Sequence, residues 1–375
     1  MGDISSSYSG GTPKAGTRKY YNGKIPFIRS GEISNGFTEL TITEDGLRNS
    51  AAKMVDKGDI LYALYGATSG EVSIARINGA INQAIMAIKP FEGYDSYLLA
   101  SLLQNNKTKI TEKYLQGGQG NLSATIVKNL KLKVPSSKEQ KLIGILLLRL
   151  DRSITLHEEK KQQLKCLKSA LLQKMFANKN KSGDPDVRFK GFDERWERHI
   201  LNDLAIFNPK GTLPTSFEYV DLGSVIGVEM ISHKTISKFD APSRAQRLAQ
   251  VGDLFYQTVR PYQQNNYLFD NKDNAYVFST GYAQLRPLID GYFLLCLVQT
   301  KSFVRKVMNA CTGTSYPAIN SQDLAQIGVN IPINSKEQRL IGNLYKVIDN
   351  LITLYQQKLD DLNTIKQSLL QKMFI

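Results

Sequence analysis

SKEQKLIG occupies residues 137–144, and SKEQRLIG occupies residues 335–342, which lie 198 positions further along the chain. Aligned without a gap, residues 137–176 and 335–374 are identical at 21 of 40 positions, and both segments end in LLQKMF. This agreement is too extensive for chance between two arbitrary segments. The chain therefore contains an internal duplication with a period of about 200 residues.

Shorter matches extend the duplication into the sequence that precedes each of these segments. KGDILY at residues 57–62 corresponds to VGDLFY at residues 251–256, and LKVP ending at Pro135 corresponds to VNIP ending at Pro332. The offset varies by a few residues in these earlier parts, as expected where loops differ within a shared architecture. Each half is therefore predicted to be a variable domain followed by a constant helix.

The two constant segments predict long amphipathic helices. Their apolar residues recur at alternating spacings of three and four, which is the a/d pattern of a coiled coil. The predicted seam comprises Ile143, Leu146, Leu150, Ile154, Leu164, Leu167, Leu171 and Met175 with His157 among them, and in the second copy Ile341, Leu344, Ile348, Ile352, Tyr355, Leu359, Leu362, Ile365, Leu369 and Met373. Ser137 and Ser335, each with Gln three residues later, predict N-caps of the capping-box type. Since neither seam can remain in water, each helix needs a partner, and the other copy is the nearest complementary one.

Composition limits the class of protein. At 375 residues with 42% hydrophobic content, the chain should fold as two domains, and it has no apolar run typical of a signal peptide or a membrane span, so we expect a cytoplasmic protein. Three cysteines lack the C-x-x-C spacing, which predicts neither a disulfide framework nor a zinc site. The net charge of +14 favours a polyanionic partner. Because residues 201–334 carry only +1 of it, contact with nucleic acid there would require a local basic patch.

Few patterns in the sequence favour catalysis. HEEKK at His157 lacks the second histidine of a zinc-protease helix, and GGQGN at residues 117–121 lacks the Lys-Ser/Thr ending of a P-loop. Neither half carries a catalytic motif. We therefore predict no catalytic residue and no metal site on this chain.

Taken together, these segments resemble the specificity subunit of type I restriction-modification enzymes over essentially the whole chain. The resemblance rests on both SKEQ…LLQKMF segments, on RFKGFDERWERHIL at residues 188–201 and on GGTPK and YYNGKIPFIRSGEI within residues 10–33. It implies that each variable domain is a target-recognition domain that reads one half of a split, asymmetric site in double-stranded DNA. It also implies that the helices pair antiparallel as a spacer and dock two methyltransferase (modification) subunits.

The same resemblance implies that two restriction/translocase subunits join the complex and that this chain is non-catalytic. No cofactor is then expected on it, with S-adenosylmethionine on the methyltransferase partner and ATP and Mg on the nuclease partner. One departure concerns the first domain, which opens at MGDI without a counterpart of residues 184–200. This predicts either a true start further upstream or a shortened chain, and a less firmly anchored first domain.

The predicted fold class is α+β, with two mixed α/β target-recognition domains separated by two long antiparallel helices that form a coiled-coil spacer, related by a pseudo-twofold internal duplication. The predicted boundaries are residues 1–136 for the first recognition domain, 137–177 for the first helix, 178–200 for a linker leading into the second repeat, 201–334 for the second recognition domain and 335–375 for the second helix.

Base reading needs Arg, Lys, Asn, Gln and hydroxyl side chains on loops that can enter a groove. The candidates in the first domain are Thr12, Lys14, Arg29, Ser30, Thr68, Ser69, Gln119 and Asn121, and those in the second are Lys210, Thr212, Arg260, Tyr262, Gln263, Gln264, Asn265, Thr314, Ser315 and Tyr316. Two loops stand out, YGATSG and VRPYQQNN, because both follow the repeated GD strand at equivalent places. Two alternatives remain open: a scaffold or dimerisation protein that does not bind DNA, built on the duplicated coiled coil, and an enzyme with an unrecognised site.

Overall fold

Both halves of the chain build the same pair of four-stranded sheets. The computed structural model describes residues 1–115, 121–176, 184–272, 275–313 and 315–373. Its contacts divide the chain into two compact units, Met1–Glu158 with Gln357–Ile375, and Glu159–Gln356. No helix within the described ranges is long and apolar enough to cross a membrane.

The first unit contains eight strands in the described residues. They are β1 (Ser5–Ser9), β2 (Tyr21–Ile28), β3 (Thr41–Ile42), β4 (Lys53–Val55), β5 (Ile60–Ala63), β6 (Val72–Ile74), β7 (Gly79–Ile81) and β8 (Ile85–Pro90), with helices α1 (Glu44–Arg48), α2 (Ser96–Asn105), α3 (Lys107–Tyr114), α4 (Ala124–Lys128) and the start of α5 (Ser137–Phe176). One sheet is antiparallel with the order β1-β8-β5-β6. The other has the order β3-β2-β7-β4, in which β2 and β7 run parallel.

The second unit repeats this plan. Its elements are β9 (Glu197–Ile200), β10 (Ala205–Phe207), β11 (Ser216–Val220), β12 (Val225–Ile226), β13 (Glu229–Met230), β14 (Lys234–Ser237), β15 (Ala245–Leu248), β16 (Leu254–Gln257), β17 (Tyr267–Leu268), β18 (Tyr276–Ser279), β19 (Tyr282–Pro287) and β20 (Gly328–Ile331), with α6 (Leu201–Leu204), α7 (Gly291–Val298), α8 (Lys301–Ala310), α9 (Ser321–Ala325) and the start of α10 (Ser335–Met373). The antiparallel sheet has the order β10-β19-β16-β17, and the mixed sheet has the order β14-β11-β18-β15 with β11 and β18 parallel. Two further pairs, β12 with β13 and β20 with β9, complete the unit.

Strand β5 is buried on both faces, which explains its uninterrupted apolar sequence ILYA. Ile60 and Tyr62 pack into the core that also holds α2, whereas Leu61 and Ala63 pack into the core shared with the mixed sheet. Because side chains alternate along a strand, one short strand thus supplies two cores. Strand β16 divides its side chains between two cores in the same way. The GD strands predicted from the sequence are confirmed as the centres of the antiparallel sheets.

The two long helices run antiparallel within the second unit. Lys161 of α5 donates a hydrogen bond to Gln356 of α10, and seven residues on, Lys168 Nζ lies 2.5 Å from Asp349 Oδ1. The partner numbers fall on α10 as they rise on α5, so the helices point in opposite directions. Tyr292 of α7 donates its hydroxyl to the second oxygen of Asp349 at 2.7 Å. One carboxylate thus joins both helices to the globular domain.

The first unit contains the same arrangement, but there the aspartate belongs to α5 and the lysine belongs to α10. Asp151 of α5 accepts a hydrogen bond from the Tyr97 hydroxyl of α2 at 2.5 Å and pairs with Lys366 Nζ of α10 at 2.5 Å. Leu370 of α10 packs in the same core as Leu147 of α5. The prediction that each helix is the partner of the other is confirmed within each unit.

The predicted a/d seam is wrong at several positions. Leu146, Leu167 and Ile365 are 42%, 48% and 49% exposed, although all three were placed in the seam. Leu147 and Tyr345, which fall outside the predicted seam, are fully buried. The reason is that a coiled-coil pattern assumes one partner, whereas each helix here packs against its partner helix and also against a globular domain. The buried face is therefore wider than an a/d stripe and rotated relative to it.

The predicted N-caps of both helices are also displaced by one position, because α5 begins at Ser137 itself and α10 at Ser335 itself. Ser335 is the first helical residue, and Asn334 Oδ1 accepts a hydrogen bond from the Lys336 amide at 2.9 Å. The repeated glutamine has a different role from the one expected of a capping box. Gln338 is buried and donates its amide to the carbonyl of Pro332 at 2.9 Å, and the first copy makes the equivalent bond.

The repeated glycine of the LIG phrase permits a close contact with a capped helix. Asp290 caps α7 by accepting a hydrogen bond from the Phe293 amide at 2.8 Å. A Cβ atom on Gly342 would lie 2.4 Å from Asp290 Oδ1 and 3.0 Å from the Phe293 amide nitrogen. In the first copy, a Cβ atom on Gly144 would lie 2.2 Å from the Asp95 carboxylate. Only glycine leaves room for the capping carboxylate in both places.

We expect Gly342→Ala to lower the free energy of unfolding of the second unit by about 1–3 kcal/mol, because the methyl group overlaps the Asp290 cap. Helix propensity alone predicts the opposite sign, a gain of about 1 kcal/mol. The measurement is denaturant unfolding followed by the fluorescence of Trp196, the single tryptophan, which is buried in the core of this unit. Asn343→Ala, at the exposed neighbouring position, is the control and should be neutral or stabilising. A stabilised Gly342→Ala variant would contradict the steric explanation.

Candidate nucleic-acid interface

Two loops of the second unit meet beyond the end of β16. The Ile319 amide donates to the Thr258 carbonyl at 3.0 Å, and the Arg260 amide donates to the Pro317 carbonyl at 2.7 Å. These bonds hold the VRPYQQNN loop against the TGTSYP loop. Two groups of candidate readers that are about 50 residues apart in the sequence therefore form one surface.

The first unit joins its two corresponding loops by the same backbone bond. The Leu122 amide donates to the Leu64 carbonyl at 2.9 Å, and Tyr65 and Asn121 form an isolated antiparallel bridge. Asn121 is exposed beside this bridge. Gln119, the other candidate in GGQGNLS, lies outside the described residues. The YGATSG loop and the described end of GGQGNLS are thus brought together, as the duplication predicts.

Half-buried Arg260 and exposed Tyr316 contact each other across the second loop pair. The guanidinium carbon of Arg260 lies 4.4 Å from the centre of the Tyr316 ring, a cation–π contact. Tyr316 is 67% exposed, and the neighbouring Ser315 is also exposed. Thr314, the remaining candidate of this loop, lies outside the described residues. A half-buried cation therefore lies beside an exposed ring and an exposed hydroxyl-bearing residue.

The two glutamines of the VRPYQQNN loop bond within the protein. Gln264 donates its side-chain amide to the Gln299 carbonyl at 2.7 Å, and the Gln299 side chain donates back to the Gln264 carbonyl at 3.0 Å. Gln263 Oε1 accepts a hydrogen bond from Gln257 Nε2 at 2.8 Å. That bond uses only the Gln263 oxygen, so among the described residues its amide nitrogen is left for an external acceptor. Gln264, in contrast, fixes the loop to Gln299, the residue directly after α7.

The other two candidates of this loop differ from each other. Asn265 Oδ1 accepts a hydrogen bond from the Gly227 amide at 2.9 Å, so this side chain holds the turn between β12 and β13. Tyr262 is 50% exposed on the outer side of the short 3₁₀ turn that follows Arg260. Tyr262 is therefore placed for contact with a ligand, and Asn265 for support of the loop.

The candidates that follow the first strand of each domain are exposed. Lys14 of the first domain and Lys210 and Thr212 of the second are all exposed. Thr12 is exposed as well, and its hydroxyl donates to Gln83 Oε1 at 2.6 Å. These segments offer cations and hydroxyl groups, and they are close in sequence to the edge strands β1 and β10.

Arg29 is already paired with two carboxylates. Its guanidinium lies 2.9 Å from Glu32 Oε1 and 2.8 Å from Glu39 Oε2. Hydrogen bonding to Glu32 and then to Glu39 raises the pKa of Arg29, and the hydrogen bond from Arg29 lowers the pKa of Glu32. Arg29 is thus held within its own loop, next to the half-buried Ser30.

The YGATSG loop presents only one of its two hydroxyl candidates. Ser69 is buried and donates its hydroxyl to the Leu64 carbonyl at 3.0 Å, which closes the turn. Thr68, one residue earlier, is half-buried. Of this pair, Thr68 is the one that a ligand could reach.

A cavity of about 970 Å³ in the second unit is bordered by both loop glutamines and by five cations. Lys161 and Lys168 on its wall are bonded to α10. Lys165, Lys301 and Arg305 are exposed, and none of the three has an ion-pair partner in the described part of the chain. They form the local basic patch that the near-neutral second domain requires for contact with a polyanion.

Sequence reasoning missed this basic patch. Lys301 and Arg305 stand four residues apart on α8 and therefore lie on one face, while Phe303 and Val307 are buried on the opposite face. That amphipathic pattern is the signal that could have found them. Lys165 carries no such signal, because its proximity to α8 depends on tertiary packing.

The chemistry collected in these loops is that of binding. Guanidinium, ammonium, amide, hydroxyl and aromatic groups can contact phosphates and base edges. Over the described ranges, no group of three or more His, Cys, Asp or Glu side chains is placed to hold a metal ion.

Comparisons with known proteins point to one family. Residues 1–166 and 194–364 match the family model described as the type I restriction modification DNA specificity domain. The chain is 24% identical to the MjaIX specificity subunit of a type I restriction enzyme from Methanocaldococcus jannaschii, over 99% of this chain and 90% of the relative. It is 23% identical to the MjaVIII specificity subunit of the same organism, over 94% of this chain and 88% of the relative.

Solved structures support the fold. The S subunit of a type I restriction-modification system from M. genitalium superimposes with a TM-score of 0.67 at 16% identity, covering 100% of this chain and 94% of that one. A chain from a study of complex assembly and conformational transition of the type I R-M system gives a TM-score of 0.52 at 15% identity, covering 100% and 96%. The duplicated α+β architecture is therefore shared with these proteins.

We expect the double variant Lys301→Ala/Arg305→Ala to bind random duplex DNA more weakly than the unmodified chain. If both cations meet phosphates, the slope of log K against log salt should decrease by about 2, at about 0.9 per contact. Filter binding or fluorescence anisotropy across a salt series measures it. Lys336→Ala/Arg339→Ala is the matched control, since it removes the same charge from an exposed part of the same unit. Equal slopes for the two double variants would remove the cavity from the interface.

Proposed function

Because the chain belongs to the family of type I restriction-modification DNA specificity domains, we propose that each of its two globular domains reads one half of a bipartite, asymmetric DNA site. In this family the specificity subunit is non-catalytic and recognises the DNA target of a restriction-modification complex. We further propose that the long helices fix the distance between the two half-sites and dock the methyltransferase subunits. On this proposal the recognition domains are residues 1–136 and 201–334, the helices are residues 137–177 and 335–375, and residues 178–200 link the repeats.

One observation carries this proposal: the two units use the same backbone frame to present different side chains. The bond from Leu122 to Leu64 and the bond from Ile319 to Thr258 are equivalent in the repeat. The loops that follow the two accepting carbonyls are YGATSG in the first unit and VRPYQQNN in the second. These two loops share almost no side-chain chemistry. A constant frame with divergent loops is what two readers of unlike half-sites require. Identical subunits would instead match a palindrome.

The proposed DNA contacts are drawn from the loops on these frames. The candidates from which they are drawn are Thr12, Lys14, Arg29, Ser30, Thr68, Ser69, Gln119, Asn121, Lys210, Thr212, Arg260, Tyr262, Gln263, Gln264, Asn265, Thr314, Ser315 and Tyr316. Within this set, exposure favours Tyr262 and Tyr316 as direct contacts, and the half-buried Arg260 lies against the exposed Tyr316 ring. Ser69 and Asn265 support the loops through their hydrogen bonds to backbone atoms.

The proposed partners of the helices are two methyltransferase subunits, which hold S-adenosylmethionine, and two restriction/translocase subunits, which use ATP and Mg. Exposed apolar side chains on the helices support docking of this kind. Leu142 of α5 is 71% exposed, and its repeat counterpart Leu340 of α10 is 42% exposed. Val347, Leu351 and Leu354 continue the exposed apolar surface of α10 at 55%, 37% and 44%. We place the assembled complex, and therefore this chain, in the cytoplasm.

A scaffold that does not bind DNA is the competing proposal, and the exposed apolar surface of the helices is compatible with it. Salt-dependent binding of duplex DNA separates the two. Phosphate contacts predict an affinity that falls steeply with salt, whereas a scaffold binds no DNA at any salt concentration.

Exchange of one recognition domain is the direct test of one domain per half-site. Replacing residues 201–334 with the equivalent domain of a relative should change one half of the methylated site and leave the other half unchanged. Sequencing of methylated adenines in cells that express the complex measures the outcome. The reciprocal exchange of residues 1–136 is the matched control and should change only the other half. A change in both halves, or in neither, would contradict the assignment.

If the two long helices set the distance between the half-sites, lengthening both helices in register should lengthen the gap between the half-sites. Lys161 lies opposite Gln356, so one heptad inserted after Lys161 and another after Tyr355 keeps the antiparallel pairs and the apolar period. Seven residues add about 10 Å, which equals about three base pairs at about 3.4 Å each. We expect the same two half-sequences separated by a gap about three base pairs longer. Affinity should fall, because three base pairs rotate the duplex by roughly 100°.

The matched control inserts the heptad after Lys161 alone. That variant loses the register between the helices and should be destabilised without gaining a new spacing. If the double insertion folds and still methylates sites with the original gap, then something other than these helices sets the distance.

A further inference from the structure

Arg260 occupies a backbone position that its repeat counterpart fills with glycine. Leu64 and Thr258 are equivalent in the repeat, because their carbonyls accept equivalent bonds. The residue two positions after each of them is Gly66 in the first unit and Arg260 in the second. Gly66 has φ +77° and Arg260 has φ +54°, and a 3₁₀ turn begins at or directly after each. The shared frame therefore requires a left-handed residue at this point. Glycine adopts that conformation without penalty, whereas an arginine is strained by its Cβ.

Several contacts compensate for this strain. The Arg260 amide donates to the Pro317 carbonyl at 2.7 Å, and the Arg260 carbonyl accepts from the Gln263 amide at 3.0 Å. Pro261 at the next position restricts the chain further, since its ring fixes φ. A strained residue held by so many contacts on an exposed loop is a signature of a functional position.

The side chain of Arg260 is oriented and yet available. Its guanidinium carbon lies 4.4 Å from the centre of the Tyr316 ring, and this contact restricts the orientation of the guanidinium plane. Within the described residues no carboxylate pairs with Arg260, in contrast to Arg29, which contacts Glu32 and Glu39. Among the described residues no acceptor uses the guanidinium donors of Arg260, so an external acceptor can bind them.

We propose that Arg260, held over Tyr316, is a specificity-determining residue that donates two hydrogen bonds to the O6 and N7 atoms of a guanine in the half-site read by the second domain. This inference rests on the proposed function. A planar guanidinium matches the two acceptors on the major-groove edge of guanine, and fixing its plane in advance lowers the entropy lost on binding. Tyr316 is a positioning residue that acts through Arg260. The first domain has no equivalent reader, because Gly66 has no side chain.

The test uses the chain assembled with its methyltransferase subunits and a duplex that carries the mapped site. Each guanine of the second half-site is replaced in turn by 7-deazaguanine, which lacks only the N7 acceptor. At one guanine, this replacement should weaken binding by the unmodified complex at least fivefold, and it should leave the already weakened Arg260→Gly complex unchanged. On the unmodified site, Arg260→Gly should bind roughly 5- to 150-fold more weakly, with less than about a threefold change on random DNA.

Folding and specificity can be separated in these variants. Arg260→Gly relieves the left-handed strain, so its unfolding midpoint, followed by Trp196 fluorescence, should be equal or higher. Tyr316→Phe keeps the ring and should retain the response to 7-deazaguanine, whereas Tyr316→Ala should lose much of it. Because Tyr316 is mostly exposed, both Tyr316 variants should keep normal stability.

Three outcomes would overturn the inference: a second half-site without guanine, an equal loss for Arg260→Gly on specific and random DNA, and an equal 7-deazaguanine effect with and without Arg260. The second of these would make Arg260 a phosphate anchor. Failure of the proposed function itself is a separate result, because the unmodified complex would then methylate no specific site.

Discussion

A half-buried carboxylate that joins three helices is the interaction on which each unit depends. In the second unit it is Asp349, which binds Lys168 of the antiparallel partner helix and Tyr292 of the globular domain. Partial burial makes an unpaired charge unfavourable there, so the carboxylate is stabilised by the lysine and the hydroxyl that contact it. The pairing therefore fixes the register of the two helices and seats the domain on them with a single group. Burial, and then the charge of Asp349, raises the pKa of Tyr292, so that its hydroxyl remains a donor throughout the physiological range.

The repetition of this arrangement explains which parts of the sequence are duplicated closely. Asp151 and Asp349 are equivalent in the repeat, as are Lys168 and Lys366, and each aspartate binds the lysine of the other copy. When two similar helices pair antiparallel, equivalent residues make reciprocal contacts. The same aspartate and lysine positions therefore form an ion pair in each unit. The loops are under no such constraint. They can diverge as long as the backbone bonds that join them are kept.

Local patterns predicted the elements of this fold, and tertiary contacts decided the rest. The long helices and the GD strands could be predicted because the spacing of their apolar residues is visible within a short stretch of sequence. Leu146 and Leu167 were misplaced because an a/d pattern does not reveal that a globular domain covers a second face of the helix. Arg29 was a reasonable reader by residue type, yet its pairing with Glu39 depends on the path of a loop. The Asp349 contacts could have been suspected because Asp151 and Asp349, like Lys168 and Lys366, are charged residues that are identical in the two repeats.

The distribution of charge has a consequence for how such a protein could change its target. On the proposed function, phosphate contacts supply most of the affinity and base contacts supply the discrimination. Lys165 belongs to the constant helix α5, whereas Arg260 and Tyr316 belong to the variable loops. A new recognition domain would therefore arrive beside a cation that is already in place, so part of the binding energy does not have to evolve again with each domain. The low net charge of residues 201–334 favours the same division, because a reader with a weak field of its own adds little sequence-independent affinity and leaves discrimination to the groove contacts.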